Sequence, residues 1–151
     1  MIDKAIFAAG CFWGVEENFV KIQGVASTKV GYTGGRKENP SYEEVCTGKT
    51  GHAESVLLEF DSSILSYSSL LNFFWKFHDP TTLNRQGVDV GSQYRSAIFY
   101  FNLNQKNLAI ESKKNISSKY NNKIVTEITE AKYFYLAEEY HQRYLKKKYN
   151  L

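Results

Sequence analysis

A cysteine near the start of the chain lies where two sequence patterns meet. Residues 5–9 are all apolar and predict a buried strand that ends at Gly10. The positions that follow share one face of a helix, and they are occupied by Phe12, Val15, Phe19 and Ile22. Backbone N–H groups and the positive end of a helix dipole favour a thiolate at such a junction, so we expect Cys11 to have a lowered pKa and a reactive thiol. A buried, inert cysteine at a helix start is the alternative.

Two aromatic residues, Phe12 and Trp13, directly follow this candidate nucleophile and indicate a pocket for an apolar, uncharged group. A thiolate also needs a proton donor for the leaving atom. Glu54 is the best candidate, because burial at the end of the predicted strand 53–60 would raise its pKa and keep it protonated near neutral pH. A glutamate exposed at a strand edge is the alternative.

Three further residues are candidates for contact with a substrate. Tyr42 and Tyr94 are hydroxyl donors in segments without periodicity, although with 11 tyrosines in the chain either one could simply pack in a core. Asp89 has Gly87 and Gly91 on either side, which indicates backbone held close to a ligand or a simple turn.

Residue types that bind zinc are present, but none falls at a zinc-ligand spacing. They are Cys11, Cys46, His52, His78 and His141. We therefore expect no metal. With only 2 cysteines and no C-x-x-C motif, a framework of structural disulfides is excluded, and reactive or buried thiols are expected instead.

The elements that must position these residues alternate between strand and helix patterns. Strands are predicted over residues 4–9, 26–33, 53–60, 96–101 and 124–128, and helices over 13–23, 67–78, 104–119 and 136–148. Ser41 and Glu44 have the spacing of a capping box and predict a short helical turn. Residues 79–95 form a long polar stretch, and a loop of that length is often functional. The mixture predicts an α/β or α+β fold with one main sheet.

Composition places the chain among ordinary globular proteins. It has 151 residues, of which 42% are hydrophobic and 23% charged, and we expect a single domain over residues 1–151. No window of 18 apolar residues and no signal-peptide pattern occurs, so we expect a cytoplasmic protein without a membrane segment. The net charge of +3 owes much to residues 146–148, which we interpret as a solvated helix end and not a nucleic-acid site.

The motifs together resemble those of the A-type peptide methionine sulfoxide reductases. The resemblance is carried, in order, by GCFWG at 10–14, VGYTGG at 30–35, NPSYEEVCTG at 39–48, TGHAE at 50–54, FHDPTT at 77–82, RQGVDVGSQYRS at 85–96 and AEEYH at 137–141. These motifs span nearly the whole chain. The fold that the resemblance implies is an α/β (α+β) two-layer sandwich, in which helices flank a central mixed sheet and the C-terminal segment is long and irregular.

The resemblance also implies roles for individual residues. The Cys11 thiolate would attack the sulfoxide sulfur of methionine S-sulfoxide, peptide-bound or free, and would end as a sulfenic acid. The remaining assignments are Glu54 as proton donor, Tyr42 and Tyr94 as donors to the sulfoxide oxygen, Phe12 and Trp13 as the wall for the S-methyl group, Asp89 as a holder of the substrate main chain, and His52 beside the site. The implied role is repair of oxidised proteins, with no bound cofactor.

One departure concerns regeneration of the thiol. Many members of the family carry resolving cysteines near the C-terminus, whereas residues 133–151 contain none. We expect direct reduction of the Cys11 sulfenic acid by an external thiol of thioredoxin, glutaredoxin or glutathione. The rival is a disulfide with Cys46, which we expect to be buried and not to resolve. We expect a monomer whose partners are oxidised proteins and the reductant.

Two other classes of protein fit parts of the sequence. A thiol peroxidase also needs a reactive cysteine that becomes a sulfenic acid, but it has no need of a methyl pocket. A binding module could use its aromatic residues to hold peptides or RNA, but most of these residues fall at periodic, core-like positions.

Overall fold

The computed structural model describes residues 1–150 and is organised around a six-stranded mixed sheet. These residues contain eight strands: β1 (Ile2–Ala9), β2 (Val25–Thr33), β3 (Ala53–Asp61), β4 (Arg85–Gln86), β5 (Asp89–Val90), β6 (Ser96–Tyr100), β7 (Glu127–Glu130) and β8 (Tyr135–Leu136). The main sheet has the order β7–β6–β1–β3–β2–β8, while β4 and β5 form a separate hairpin. Only β6 and β7 pair in parallel; the other neighbours are antiparallel.

Five α-helices accompany the sheet in the described residues. They are α1 (Phe12–Val20), α2 (Tyr42–Cys46), α3 (Tyr67–Lys76), α4 (Leu103–Ile116) and α5 (Tyr144–Tyr149). The capping box predicted before α2 is present, since the Ser41 hydroxyl accepts from the Glu44 backbone and the Glu44 carboxylate accepts from the Ser41 backbone. No helix within residues 1–150 is long and apolar enough to cross a membrane.

The two faces of the sheet are covered differently. Alternate residues of β1 point to opposite faces, so Ala5 and Phe7 pack with the helices while Ile6 and Ala8 face the other way. The helical face holds most of the buried aromatic rings, and the ring of Phe7 stacks on that of Phe19 with centroids 5.2 Å apart. The second face is smaller and is partly covered by Phe134. This arrangement confirms the predicted sandwich of helices on a mixed sheet.

The predictions for the C-terminal quarter need correction. Residues 124–128 were expected to form the last strand, but β7 begins at Glu127 and β8 follows it. The helix expected over 136–148 is wrong in its first half, where a 3₁₀ turn (Glu139–His141) precedes α5. Tertiary bonds override the helical pattern: the Gln142 side chain donates to the carbonyls of Val30 and Ala137, and Arg143 has a φ of 51°.

Candidate active site

The turn between β1 and α1 presents the side chain of Cys11. Gly10 has a φ of 102°, a backbone conformation that side chains of L-residues rarely adopt, and a Cβ atom there would lie 2.8 Å from Cγ of Gln86. Gln86 belongs to the β4–β5 hairpin, whose next strand begins with Asp89. The glycine therefore lets the hairpin approach closely, which brings Asp89 into electrostatic range of the Cys11 thiol.

The resting thiol of Cys11 is protonated at neutral pH, contrary to the sequence-based prediction. Burial raises its pKa to about 11. The backbone N–H groups of Trp13 and Gly14 do act in the predicted direction and lower it, but the negative charges of Glu54 and Asp89 add to the effect of burial. The prediction of a lowered pKa took account of the backbone N–H groups at the helix start, but not of desolvation or of the two nearby carboxylates.

Glu54 is buried directly behind the start of α1. It lies opposite Tyr32 in the antiparallel register of β2 and β3, so both side chains point to the helical face of the sheet. The Glu54 side chain is only 1% exposed, and its Oε1 accepts a hydrogen bond of 3.2 Å from the Phe12 backbone N–H. Burial raises the pKa of Glu54 to about 7 in spite of that bond, so the group can hold or release a proton at neutral pH.

Aromatic rings form one side of the site. Phe12 is buried, with its ring centroid 5.7 Å from that of Tyr32. The Trp13 indole stacks on Tyr144 at 3.8 Å, and its Nε1 donates a hydrogen bond of 2.9 Å to Nδ1 of His141. The two rings after the cysteine thus contact His141 of the C-terminal segment; Phe12 is enclosed, whereas Trp13 is only half-buried and leaves apolar surface accessible.

Polar groups also border the site. Tyr42, Tyr94 and Asp89 are all half-buried. Burial, together with the charges of Glu54, Cys46, Asp89 and Cys11, raises the pKa of Tyr94 to about 12, so this phenol lies among the other candidate residues. Burial likewise raises the pKa of Tyr42, to which the charge of Glu54 contributes. Both hydroxyls therefore stay protonated and can donate hydrogen bonds at neutral pH.

Two further predicted site residues have different surroundings. His52 is buried with both ring nitrogens in use: Nδ1 accepts from the Gly35 N–H at 3.0 Å, and Nε2 donates to the Lys37 carbonyl at 2.7 Å. It therefore anchors a loop and has no ring nitrogen left for a substrate.

Cys46 was expected to be buried, but it is exposed, because it occupies the last, outward-facing position of α2 while Val45 fills the core. No cluster of three or more His, Cys, Asp or Glu side chains within residues 1–150 could hold a metal ion.

Comparison with known proteins identifies the family to which this site belongs. The family model described as peptide methionine sulfoxide reductase matches residues 3–150. The chain belongs to this family. It is 59% identical over 147 residues to the peptide methionine sulfoxide reductase MsrA of Methanothermobacter thermautotrophicus, covering 96% of this chain and 87% of the relative. It is therefore a peptide methionine sulfoxide reductase of the MsrA type.

Solved structures with similar sequences have the same fold. Methionine sulfoxide reductase A of Corynebacterium diphtheriae matches with a TM-score of 0.93 at 37% identity, covering 97% of this chain and 74% of that one. Mxr1 of Saccharomyces cerevisiae in reduced form matches with a TM-score of 0.92 at 36% identity, covering 99% and 87%. Mxr1 in complex with Trx2 matches less closely, with a TM-score of 0.69 at 26% identity and coverage of 95% and 84%.

In this methionine sulfoxide reductase, the C-terminal segment adds residues to the site that local sequence patterns do not predict. Glu138, His141 and Tyr144 contact Tyr42 or Trp13. The segment is fixed by Glu16, which is buried and accepts hydrogen bonds from the Thr28 hydroxyl and the Arg143 backbone. The AEEYH motif at 137–141 is part of the family resemblance. Its side-chain directions could not be predicted, because the periodicity of residues 136–148 predicts a helix that the structure does not have there.

Proposed function

We propose that the Cys11 thiolate attacks the sulfoxide sulfur of methionine sulfoxide while Glu54 donates a proton to the sulfoxide oxygen. The attack forms a sulfur–sulfur bond; the sulfur–oxygen bond of the substrate then breaks as the protonated oxygen is transferred to the Cys11 sulfur, and the sulfur–sulfur bond breaks to release methionine and leave Cys11 as a sulfenic acid. In sum, a thiol and a sulfoxide give a sulfenic acid and a thioether, so Cys11 is oxidised and methionine reduced. The observation that carries this proposal is the buried carboxyl of Glu54, which has a pKa of about 7 and accepts a hydrogen bond from the backbone N–H of Phe12, the residue next to the thiol.

The electrostatics of the pair explain why the acid and the nucleophile act together. Because the pKa of Glu54 is about 7 and that of Cys11 about 11, the thiol–carboxylate form is the major one of the two forms that carry a single proton, and the form with a neutral acid and a thiolate is the minor one. A sulfoxide sulfur carries partial positive charge, which stabilises a thiolate placed against it. Bound substrate therefore favours the reactive form, while the thiol without substrate stays protected from oxidation.

The combination of apolar rings and hydroxyl donors at the site supports selection of one sulfoxide epimer. The sulfoxide sulfur is a stereocentre that carries a methyl group, an oxygen and the methionine side chain. The apolar rings of Phe12 and Trp13 suit the methyl group, and the hydroxyls of Tyr42 and Tyr94 suit the oxygen. Separate enzymes reduce the two epimers, and we assign the S epimer to this one.

Asp89 supports binding of peptide substrates and of free methionine sulfoxide. Its carboxylate is half-buried at the start of β5, on the hairpin that Gly10 allows to approach the thiol. A carboxylate there can accept a hydrogen bond from a peptide N–H or pair with a free amino group. The same site thus suits methionine sulfoxide in an oxidised protein and as the free amino acid.

An external thiol then restores Cys11. Two thiol equivalents convert the sulfenic acid to a thiol and release water and a disulfide. Candidates are thioredoxin, glutaredoxin and glutathione; the complex of the related Mxr1 with Trx2 supports the first. The exposure of Cys46 supports a second route, in which Cys46 attacks the sulfenic acid and the reductant opens the resulting disulfide. Both routes need a reduced thiol pool, which is the basis for proposing a cytoplasmic location.

The experiment is turnover of separated S and R epimers of a protected methionine sulfoxide with dithiothreitol as reductant. Wild type should reduce only the S epimer, and Cys11→Ser should be inactive. Cys46→Ser is the matched control, since dithiothreitol can reduce a sulfenic acid directly, and it should stay active. Reduction of the R epimer would contradict the assigned stereochemistry. Peroxide turnover faster than sulfoxide turnover would indicate a thiol peroxidase instead.

A further inference from the structure

We propose that Glu138 is a positioning residue for the reaction: its carboxylate fixes Tyr42 relative to the apolar wall and the Glu54 acid. This inference rests on the proposed function. Each of the two carboxylate oxygens of Glu138 accepts a hydrogen bond from a different residue. Oε1 accepts a hydrogen bond of 2.9 Å from the Tyr32 hydroxyl, and Oε2 accepts one of 2.9 Å from the Tyr42 backbone N–H. One side chain therefore connects two residues that border the site from different elements.

The bond to Tyr42 fixes a helix that is too short to hold itself in place. α2 has five residues, and Tyr42 is the first of them. The N–H groups in the first turn of a helix have no partner within the helix. The capping box uses the N–H of Glu44, and Glu138 takes that of Tyr42. A five-residue helix has little stability of its own, so its position depends on such contacts.

The hydrogen bond from Tyr32 to Glu138 fixes the position of α2 relative to the centre of the site. Tyr32 is fully buried, lies opposite Glu54 in the sheet register, and packs its ring against that of Phe12. Its hydroxyl has only a narrow range of positions, because the ring is enclosed on all sides. Glu138 thus joins a buried residue beside Glu54 and Phe12 to the first residue of α2, which carries the Tyr42 phenol.

Glu138 is ionised when it makes these bonds. Its burial opposes ionisation, but the N–H of Tyr42 and the hydroxyl of Tyr32 outweigh burial and lower the pKa of Glu138. Hydrogen bonds to a charged acceptor are shorter and stronger than those between neutral groups. A neutral amide is not equivalent to the carboxylate: its single oxygen can accept from the Tyr42 N–H and its NH2 can donate to the Tyr32 hydroxyl, but neither bond is then made to a charged acceptor.

The segment that carries Glu138 is itself fixed to β2. The Ala137 N–H donates to the Val30 carbonyl at 3.0 Å, and the Gln142 side chain bonds both the N–H and the carbonyl of Val30. The carboxylate is therefore presented from a held backbone, as a positioning role requires. Its neighbour Glu139 is exposed and provides a matched control with the same charge.

A double-mutant cycle tests the proposal. Rates of S-epimer reduction are measured at varied substrate concentration, so that kcat and KM are obtained separately. We expect Glu138→Gln to lower kcat about 10-fold to 100-fold, because the charged acceptor shared by two hydrogen bonds is lost, and to leave KM within about twofold. Glu139→Gln should match wild type. In a Tyr42→Phe background, Glu138→Gln should cost less than threefold, because the phenol it positions is already absent.

The outcomes separate failure of this inference from failure of the proposed function. Full additivity of Glu138→Gln and Tyr42→Phe, or an unchanged kcat in Glu138→Gln, would overturn the positioning role while wild type stays active. An inactive wild type would instead overturn the proposed function. Should Glu138→Gln fail to fold, Glu138→Asp keeps the charge but is one methylene too short to reach both donors. It should show the same selective loss of kcat and the same non-additivity, and an unchanged kcat would overturn the proposal.

Discussion

The indole Nε1 of Trp13 donates a hydrogen bond of 2.9 Å to Nδ1 of His141, 128 residues further along the chain. Burial lowers the pKa of His141, so its ring is neutral at physiological pH and Nδ1 can accept. The His141 side chain is fully buried against the rings of Phe12, Tyr42 and Tyr140. The methyl wall beside the nucleophile is therefore oriented by the opposite end of the sequence.

Replacing His141 by Phe should raise KM for a methionine sulfoxide peptide about 10-fold. Phe fills the space but leaves the buried N–H of Trp13 without an acceptor, at a cost of about 1–3 kcal/mol, which the indole can avoid only by turning away. His141→Asn keeps an acceptor near the Nδ1 position and should retain most of the affinity. Equal losses in the two variants, measured by steady-state kinetics, would show that ring packing and not the hydrogen bond orients Trp13.

Local sequence patterns were sufficient to predict the elements nearest the nucleophile. The apolar run 5–9 corresponds to β1, and the helix after Cys11 begins within one residue of its predicted start. The capping box at Ser41 was found because it depends on residues only three positions apart. The raised pKa of Glu54 followed from its place at the start of a buried strand.

The rest of the site depends on tertiary contacts that no local pattern carries. The direction of the Cys11 pKa shift is set by burial and by Asp89 on a distant hairpin. Exposure of Cys46 depends on which side of a five-residue helix meets the core. The positions of Glu138 and His141 follow from hydrogen bonds spanning 96 and 128 residues. Long-range partners of this kind replaced the helix that periodicity predicted for 136–148.

Gly10→Ala should destabilise the protein and reduce its activity. A φ of 102° is strained for alanine, and its Cβ would contact Gln86 at 2.8 Å, so we expect a loss of about 1–3 kcal/mol in the free energy of unfolding. Urea denaturation would measure this. Gly14→Ala is the matched control, because a Cβ there has no heavy atom within 4 Å and a helical alanine should stabilise by up to about 1 kcal/mol. Equal stability of the two variants would contradict the proposed role of the Gly10 turn.

After one turnover without reductant, the protein should gain the mass of one oxygen atom. This is the sulfenic acid expected on Cys11, and trapping it with a sulfenic-acid reagent should label that residue in intact-mass and peptide spectra. Cys46→Ser should give the same product and the same turnover with thioredoxin. A loss of two hydrogen atoms, with peptides joined through Cys11 and Cys46, would instead establish the exposed cysteine as the resolving thiol.

The pH dependence of the first turnover should report the acid and the nucleophile as a pair. The reactive form carries one proton, on Glu54, and the thiolate on Cys11. This form holds the same number of protons as the thiol–carboxylate form, so its fraction rises tenfold per pH unit below about 7 and is constant between about 7 and about 11. We therefore expect log kcat/KM for methionine formation to rise with a slope of one and level off near pH 7.

Glu54→Gln should change the shape of this profile as well as its height. The amide can donate a hydrogen bond but not a proton, so the rate should fall about 10²-fold to 10⁴-fold at neutral pH. The variant needs only the thiolate, so its log kcat/KM should keep rising through pH 7 to 9, where wild type is flat. Removing the carboxylate also removes one of the charges that raise the pKa of Cys11, so alkylation of this thiol by iodoacetamide should begin at lower pH in Glu54→Gln. A wild-type profile that rises with a slope of one through pH 9 would mean that Glu54 supplies no proton, since only the thiolate would then limit the rate.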